Sequence, residues 1–193
     1  MMENLGKVYI DGTWVEPQST QQFPVLNPAT EQQVGEIVLG NTDDVNSAVT
    51  AANRAFETWS CTSKEERIAL LEQLLAVTER RLEDLAQAMT LEMGAPISMS
   101  REAQADAAVG HLVATIDALK AQQQRGVLEN GDTQLLEPVG VCGLITPWNW
   151  PINQIALKVV PALAAGCTCI LKPSEHTPVS ATVYAEIIHE AGC

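Results

Sequence analysis

From Pro138 to Ser174 the sequence carries two charged side chains, Lys158 and Lys172, and no acid, although the chain as a whole has a formal charge of −13. A stretch this apolar loses too much by facing water and is expected to be mostly buried. Its internal pattern alternates. Val139 to Thr146 reads as a strand, Ile152 to Ala165 as a helix, Cys167 to Leu171 as a second strand and Val179 to Ala191 as a second helix. Apolar strands alternating with helices are the mark of a parallel sheet covered on both faces, joined by right-handed crossovers. Two such units fall short of the five or six strands of a doubly wound sheet, so an incomplete one is expected.

The preceding residues read differently. KVYIDGTWV, Lys7 to Val15, places an Asp11-Gly12 turn between two runs of β-formers, and Phe23 to Leu39 adds strand-like pieces broken by Pro24 and Asn27-Pro28. A small β-layer is expected there. Thr42 as N-cap before Asp43 and Asp44, with Val45, Ala48, Val49, Ala52 and Phe56 on one face, predicts a helix over 42–59. Ser63 and Glu66 form a capping box ahead of Ile68, Leu71, Leu74, Leu75, Leu82, Leu85 and Met89. That predicts a helical span over 64–93, broken once and stopped by Gly94 and Pro96. Ala103 to Leu119 predicts another helix, and Asn130-Gly131 a hairpin. The expected division is 1–137, with β-layer, helices and hairpin arm, and 138–193, with the opening βαβα of a parallel sheet.

Composition narrows the function. The 193 residues are 46% hydrophobic and 18% charged, the balance of a folded protein. The acidic excess repels phosphate backbones and anionic lipid headgroups, which argues against nucleic acid and membrane partners. Met1 to Ile10 lacks the basic start and apolar run of a secretory leader, and no stretch has the length of a membrane span, so a cytoplasmic location is expected. Cys61, Cys142, Cys167, Cys169 and Cys193 are odd in number and form no CxxC or zinc-finger spacing, so reduced thiols are expected and no metal site. His111, His176 and His189 share no ligand spacing.

Pro138 to Pro178 reads PVGVCGLITPWNWPINQIALKVVPALAAGCTCILKPSEHTP. With Glu137 in front, its EPVGV, PWNWP, K-x-x-PALA-x-G and KPSE-x-TP segments stand in the order and spacing of the NAD(P)-dependent aldehyde dehydrogenases, which the chain closely resembles. IDGTWV, the NPAT turn, the helix leading to Phe56 and Trp59, and LEMGAP also have counterparts in that family. The resemblance implies an incomplete doubly wound, Rossmann-like α/β sheet with an N-terminal β-layer and helical layer. It implies oxidation of a small-molecule aldehyde to a carboxylic acid with NAD as acceptor, NADP being the alternative, by a homo-oligomer.

Residue by residue, Asn149 matches the family Asn whose amide N–H stabilises the oxyanion formed on attack at the aldehyde carbon; on its own it would read as a loop Asn bonding local backbone. Ile145, Thr146, Pro147 and Trp148 match the stretch beneath the nicotinamide ribose and diphosphate. Lys172, Ser174 and Glu175 match the adenosine-ribose site, where a carboxylate accepts from a 2′-hydroxyl and repels a 2′-phosphate. Without the motif, Lys172 and Glu175 would be a solvated pair near a helix start. Lys158 matches a Lys proposed for proton relay, and a stem snorkelling to solvent or to a subunit interface is the alternative. The family nucleophile, a cysteine thiolate, and the carboxylate that activates water lie in later segments, and no residue here matches either. The resemblance therefore implies an N-terminal portion that is inactive alone; a short, non-catalytic product binding an adenine nucleotide or a full-length partner is the other reading.

Overall fold

The structure, a computed structural model, describes residues 3–193. It opens with two antiparallel hairpins. β1 (Val8–Ile10) pairs with β2 (Thr13–Val15) across Asp11-Gly12, both at positive φ (55° and 73°), as a two-residue turn between twisted strands requires. β3 (Gln22–Asn27) pairs with β4 (Gln32–Val38) around Asn27-Pro28, where the Asn27 side chain accepts from Ala29 N–H at 2.9 Å. Val25 points inward and is fully buried.

α1 (Thr42–Trp59) has the bounds the sequence pattern predicts, but not the expected cap. Asn41, not Thr42, is the N-cap, its Oδ1 accepting from Asp43 and Asp44 N–H while the Asp44 carboxylate accepts from Asn41 N–H. α2 (Lys64–Arg80) carries the expected Ser63–Glu66 box. Arg81 leaves helical geometry (φ −104°, ψ 11°), which supplies the single break before α3 (Leu82–Met93). α3 ends at Gly94, whose φ of 71° a β-carbon would strain, and where that carbon would stand 2.9 Å from Pro28 Cγ. The helix expected at 103–119 is longer and less regular: α4 (Ile97–Met99), a π-helical stretch (Ser100–Ala105) and α5 (Asp106–Ala121) run on without a gap. β5 (Arg125–Val127) and β6 (Thr133–Leu135) form the hairpin at Asn130-Gly131.

The charge-poor segment folds as β7 (Val141–Ile145), α6 (Pro151–Ala164), β8 (Thr168–Lys172) and α7 (Pro178–Glu190). β7 and β8 are parallel, in register from Val141 beside Thr168 to Ile145 beside Lys172. The molecule is thus mixed α/β with small two-stranded sheets. The core lies where α2, α3, α5, α6 and α7 meet, through Leu71, Leu74, Leu85, Met89, Leu112, Ile152, Ile155, Tyr184 and Ile187, all essentially without exposure. α1 is tied to the start of β8 by Thr168 Oγ1 donating to Ala52 O at 2.9 Å.

Burial is not uniform along the charge-poor segment. Val139 is 89% exposed, Ile145 73% and Trp148 55%. All three precede α6, at the two ends of β7, where no described element packs over them. Among the described residues, no helix is long and apolar enough to cross a membrane.

Candidate functional site

β7 and β8 end side by side. Ile145 stands beside Lys172, and Thr146 N–H donates to Lys172 O at 3.2 Å, so the loops that follow leave from one edge. That edge is the carboxyl end of a parallel pair, where α/β proteins place ligands. Each loop enters its helix at a proline, Pro151 for α6 and Pro178 for α7. A proline at that position fits helical φ and has no N–H to satisfy.

On the first loop Thr146 is buried, Pro147, Trp148 and Asn149 are exposed, and Trp150 is half-buried. The Asn149 side chain makes no hydrogen bond among the described residues, so its amide is not spent on the local backbone. Ile145 and Trp148, on the same stretch, are exposed apolar residues. Lys158 sits two turns into α6, about 10 Å along the axis from its first residue. There its ammonium donates to Gln154 Oε1 at 3.2 Å and to Gln154 O at 3.5 Å. It is half-buried and does not share the Asn149 loop. Next to it on α6, Asn153 Oδ1 meets His111 Nε2 of α5 at 2.8 Å.

On the second loop the Lys172 ammonium donates to Glu175 Oε2 at 3.0 Å. Backbone N–H donation at Glu175 itself, then the Lys172 ammonium, hold the Glu175 carboxyl below its ordinary value, so it is ionised at neutral pH. Ser174 is buried, and its hydroxyl accepts from His176 N–H at 3.2 Å. A carboxylate and an ammonium at this edge are groups that a ribose with vicinal hydroxyls would use, so the residues present fit the ribose of a nucleotide.

Three features around α6, β8 and α7 were not singled out from sequence. The His176 ring meets Phe23 of β3 edge-on, centroids 5.5 Å apart. Arg67, almost fully buried, donates to Thr62 Oγ1 (3.0 Å), Thr62 O (2.9 Å) and Ser60 O (3.0 Å), and its guanidinium lies where a β-carbon on Gly166 would stand, 2.5 Å away. Glu92 reaches from α3 to the first turn of α7. Only an unexpected charge in an apolar context could have flagged the last two.

The thiols of the parallel pair are packed as strand residues. Cys142 and Cys169 are opposite one another in the strand register and Cys167 is buried. Burial pushes Cys169 up to about 12 and raises Cys142 as well. Among the described residues, no group of three or more His, Cys, Asp or Glu side chains is arranged to hold a metal ion.

Comparison with known proteins identifies a family and its overall fold. A sequence model of the aldehyde dehydrogenase family matches residues 14–193. A 3-succinoylsemialdehyde-pyridine dehydrogenase from Pseudomonas sp. is 50% identical over 193 residues, covering 99% of this chain and 40% of that protein. The crystal structure of an aldehyde dehydrogenase from Bartonella henselae superposes with a TM-score of 0.96 at 43% identity, over 98% of this chain and 40% of that one. Aldehyde dehydrogenase C of Pseudomonas syringae, solved as a C291A mutant with NAD+ and octanal, gives a TM-score of 0.95 at 46% identity, over 98% and 39%. The chain thus spans about 40% of the length of the curated relatives it matches.

Proposed function

The chain belongs to the aldehyde dehydrogenase family, and from that membership we propose that its β7–β8 edge holds the adenosine end of NAD+ in a protein that oxidises an aldehyde to a carboxylic acid. In this reading β7, α6, β8 and α7 are the opening of a doubly wound, Rossmann-like sheet, the second of the two divisions of the chain. Lys172 and Glu175 take the ribose hydroxyls, Ser174 fixes the loop between them, and Ile145, Thr146, Pro147 and Trp148 lie under the nicotinamide ribose and diphosphate. Bound there, NAD+ supplies a hydride acceptor.

The observation that carries the proposal is the pairing of a half-buried, ionised Glu175 with an exposed Lys172 at the carboxyl edge of a parallel pair. A carboxylate accepts from a 2′-hydroxyl and repels a 2′-phosphate, which favours NAD+ over NADP+. In this reading the unspent Asn149 amide donates to the oxyanion, and a preorganised donor of that kind stabilises the transition state because no reorganisation is needed when charge develops. Lys158, further along α6, serves proton relay in this reading. The nucleophile and the water-activating carboxylate are supplied from outside these 193 residues. The β5–β6 hairpin, with Val127, Leu128, Leu135 and Leu136 exposed, suits contact with a second copy.

Calorimetric titration of the chain with NAD+ and NADP+ tests the assignment. NAD+ is expected to bind more tightly, and Glu175→Gln to narrow or reverse the difference. An unchanged ratio in Glu175→Gln would remove Glu175 from the ribose.

A further inference from the structure

Glu92 stands at the wrong end of its own helix. It is the penultimate residue of α3, where a carboxylate faces the negative end of the helix dipole, and it is 3% exposed with no cation within ion-pair distance among the described residues. Its partners lie in α7. Glu92 Oε1 accepts from Ser180 N–H at 2.9 Å, and Oε2 accepts from Val179 N–H.

These two N–H groups are the first that α7 has to satisfy, since Pro178 has none. The residue in the capping position, Thr177, makes no cap bond with its side chain, and its buried Oγ1 is without a partner. A helix start buried inside the molecule is therefore capped from 87 residues away in sequence, by one carboxylate that uses both oxygens. α7 begins directly after Lys172–Thr177, the segment bearing Glu175. Within that segment the bonds are few: His176 N–H to Ser174 Oγ, Thr177 N–H to Ser174 O, and the exposed ion pair. The far end of the loop is fixed by the position of α7's first turn.

We propose that Glu92 is a positioning residue for the nucleotide site: by capping α7 it holds the Lys172–Thr177 loop so that Glu175 and Lys172 present to a ribose. The inference rests on the cofactor reading given above. Ion pairs further along α7, Arg81 with Glu186 at 3.0 Å and Arg80 with Glu190 at 2.6 Å, tie down its body and leave its first turn to Glu92. Gln at position 92 keeps the shape but turns an NH2 toward one of the two N–H donors. Asp keeps the charge on a stem one methylene shorter.

Two measurements on the 193-residue chain decide it. Amide hydrogen exchange without ligand is expected to speed up by about tenfold at Val179, Ser180 and Ala181 in Glu92→Gln, the effect of losing one buried cap bond. Glu92→Asp is expected to fall between Gln and wild type, and it serves as the test variant if Gln fails to fold. Titration with NAD+ and with AMP is expected to show the same several-fold loss in Glu92→Gln for either ligand. That loss is expected to shrink when Glu175→Gln is already present, because Glu92 acts through the loop that carries Glu175. An equal loss in both backgrounds, or exchange at Val179 to Ala181 unchanged from wild type, overturns the positioning role. Wild-type chain that binds neither ligand overturns the cofactor reading instead, a failure the exchange experiment does not share.

Discussion

Asn149 and Glu175 are separated by 26 positions and stand on neighbouring loops, and they are expected to fail in different ways when replaced. The chain joined to the remaining segments of the Pseudomonas sp. relative gives a protein in which both can be assayed. Asn149→Ala there is expected to lower kcat/KM for an aldehyde about a hundredfold or more, the usual cost of one oxyanion donor. NAD+ affinity should stay close to wild type, since the adenosine contacts are assigned elsewhere. Asn149→Asp should be at least as damaging, because a carboxylate offers no N–H and opposes the developing charge. Steady-state kinetics beside circular dichroism separates this from a folding defect; full activity in Asn149→Ala would return the residue to a structural role. Recognising Asn149 needed the PWNWP context, because a lone loop Asn more often bonds the local backbone. That its amide is free could be known only from the fold.

At the scale of elements, local signals were the legible ones. The Ser63–Glu66 box, the Asp11-Gly12 turn and Gly94 as a stop are short-range devices, and each stands where sequence put it. The N-cap of α1 slipped by one residue because Asn41 and Thr42 are both good caps, and the Asp44 carboxylate, reaching back to Asn41 N–H, chooses between them. The Arg67–Gly166 contact and the Glu92 cap were not legible, because each joins residues more than 80 positions apart.

Both contacts are testable through stability. Gly166→Ala meets the Arg67 guanidinium and a φ of 80°, and the left-handed conformation alone is expected to cost about 1–2 kcal/mol, read as a lower urea midpoint. A midpoint equal to wild type would mean that the α6–β8 turn relaxes freely. Burial pushes the Glu92 carboxyl up to about 7, while Ser180 and Val179 pull it down. The unfolded chain then releases this proton first. Stability from this group is highest below the ordinary carboxylate value, falls as pH rises toward 7 and is flat above, a change of roughly 3 kcal/mol. Urea unfolding of wild type and Glu92→Gln from pH 4.5 to 8 should show that slope in the wild type alone.

For the whole molecule, the charge-poor run from Pro138 to Ser174 led to the βαβα order and the parallel pair, because alternating apolar elements leave few other arrangements. It misjudged burial at Val139, Ile145 and Trp148, since a lack of charge says that a surface is costly to expose and not which element covers it. With no residue that matches the family's thiolate nucleophile or its water-activating carboxylate, the 193-residue chain is expected to show no NAD-dependent aldehyde oxidation above blank. Turnover abolished by Cys193→Ala would contradict that. The most direct test of the cofactor assignment is to map NAD+ on the chain by amide chemical shifts. Shifts are expected to concentrate at Ile145, Thr146, Trp148, Lys172, Ser174 and Glu175, with β1–β4 and the β5–β6 hairpin unmoved. Saturable shifts that leave the β7–β8 edge untouched, or no shifts at millimolar NAD+, would contradict it.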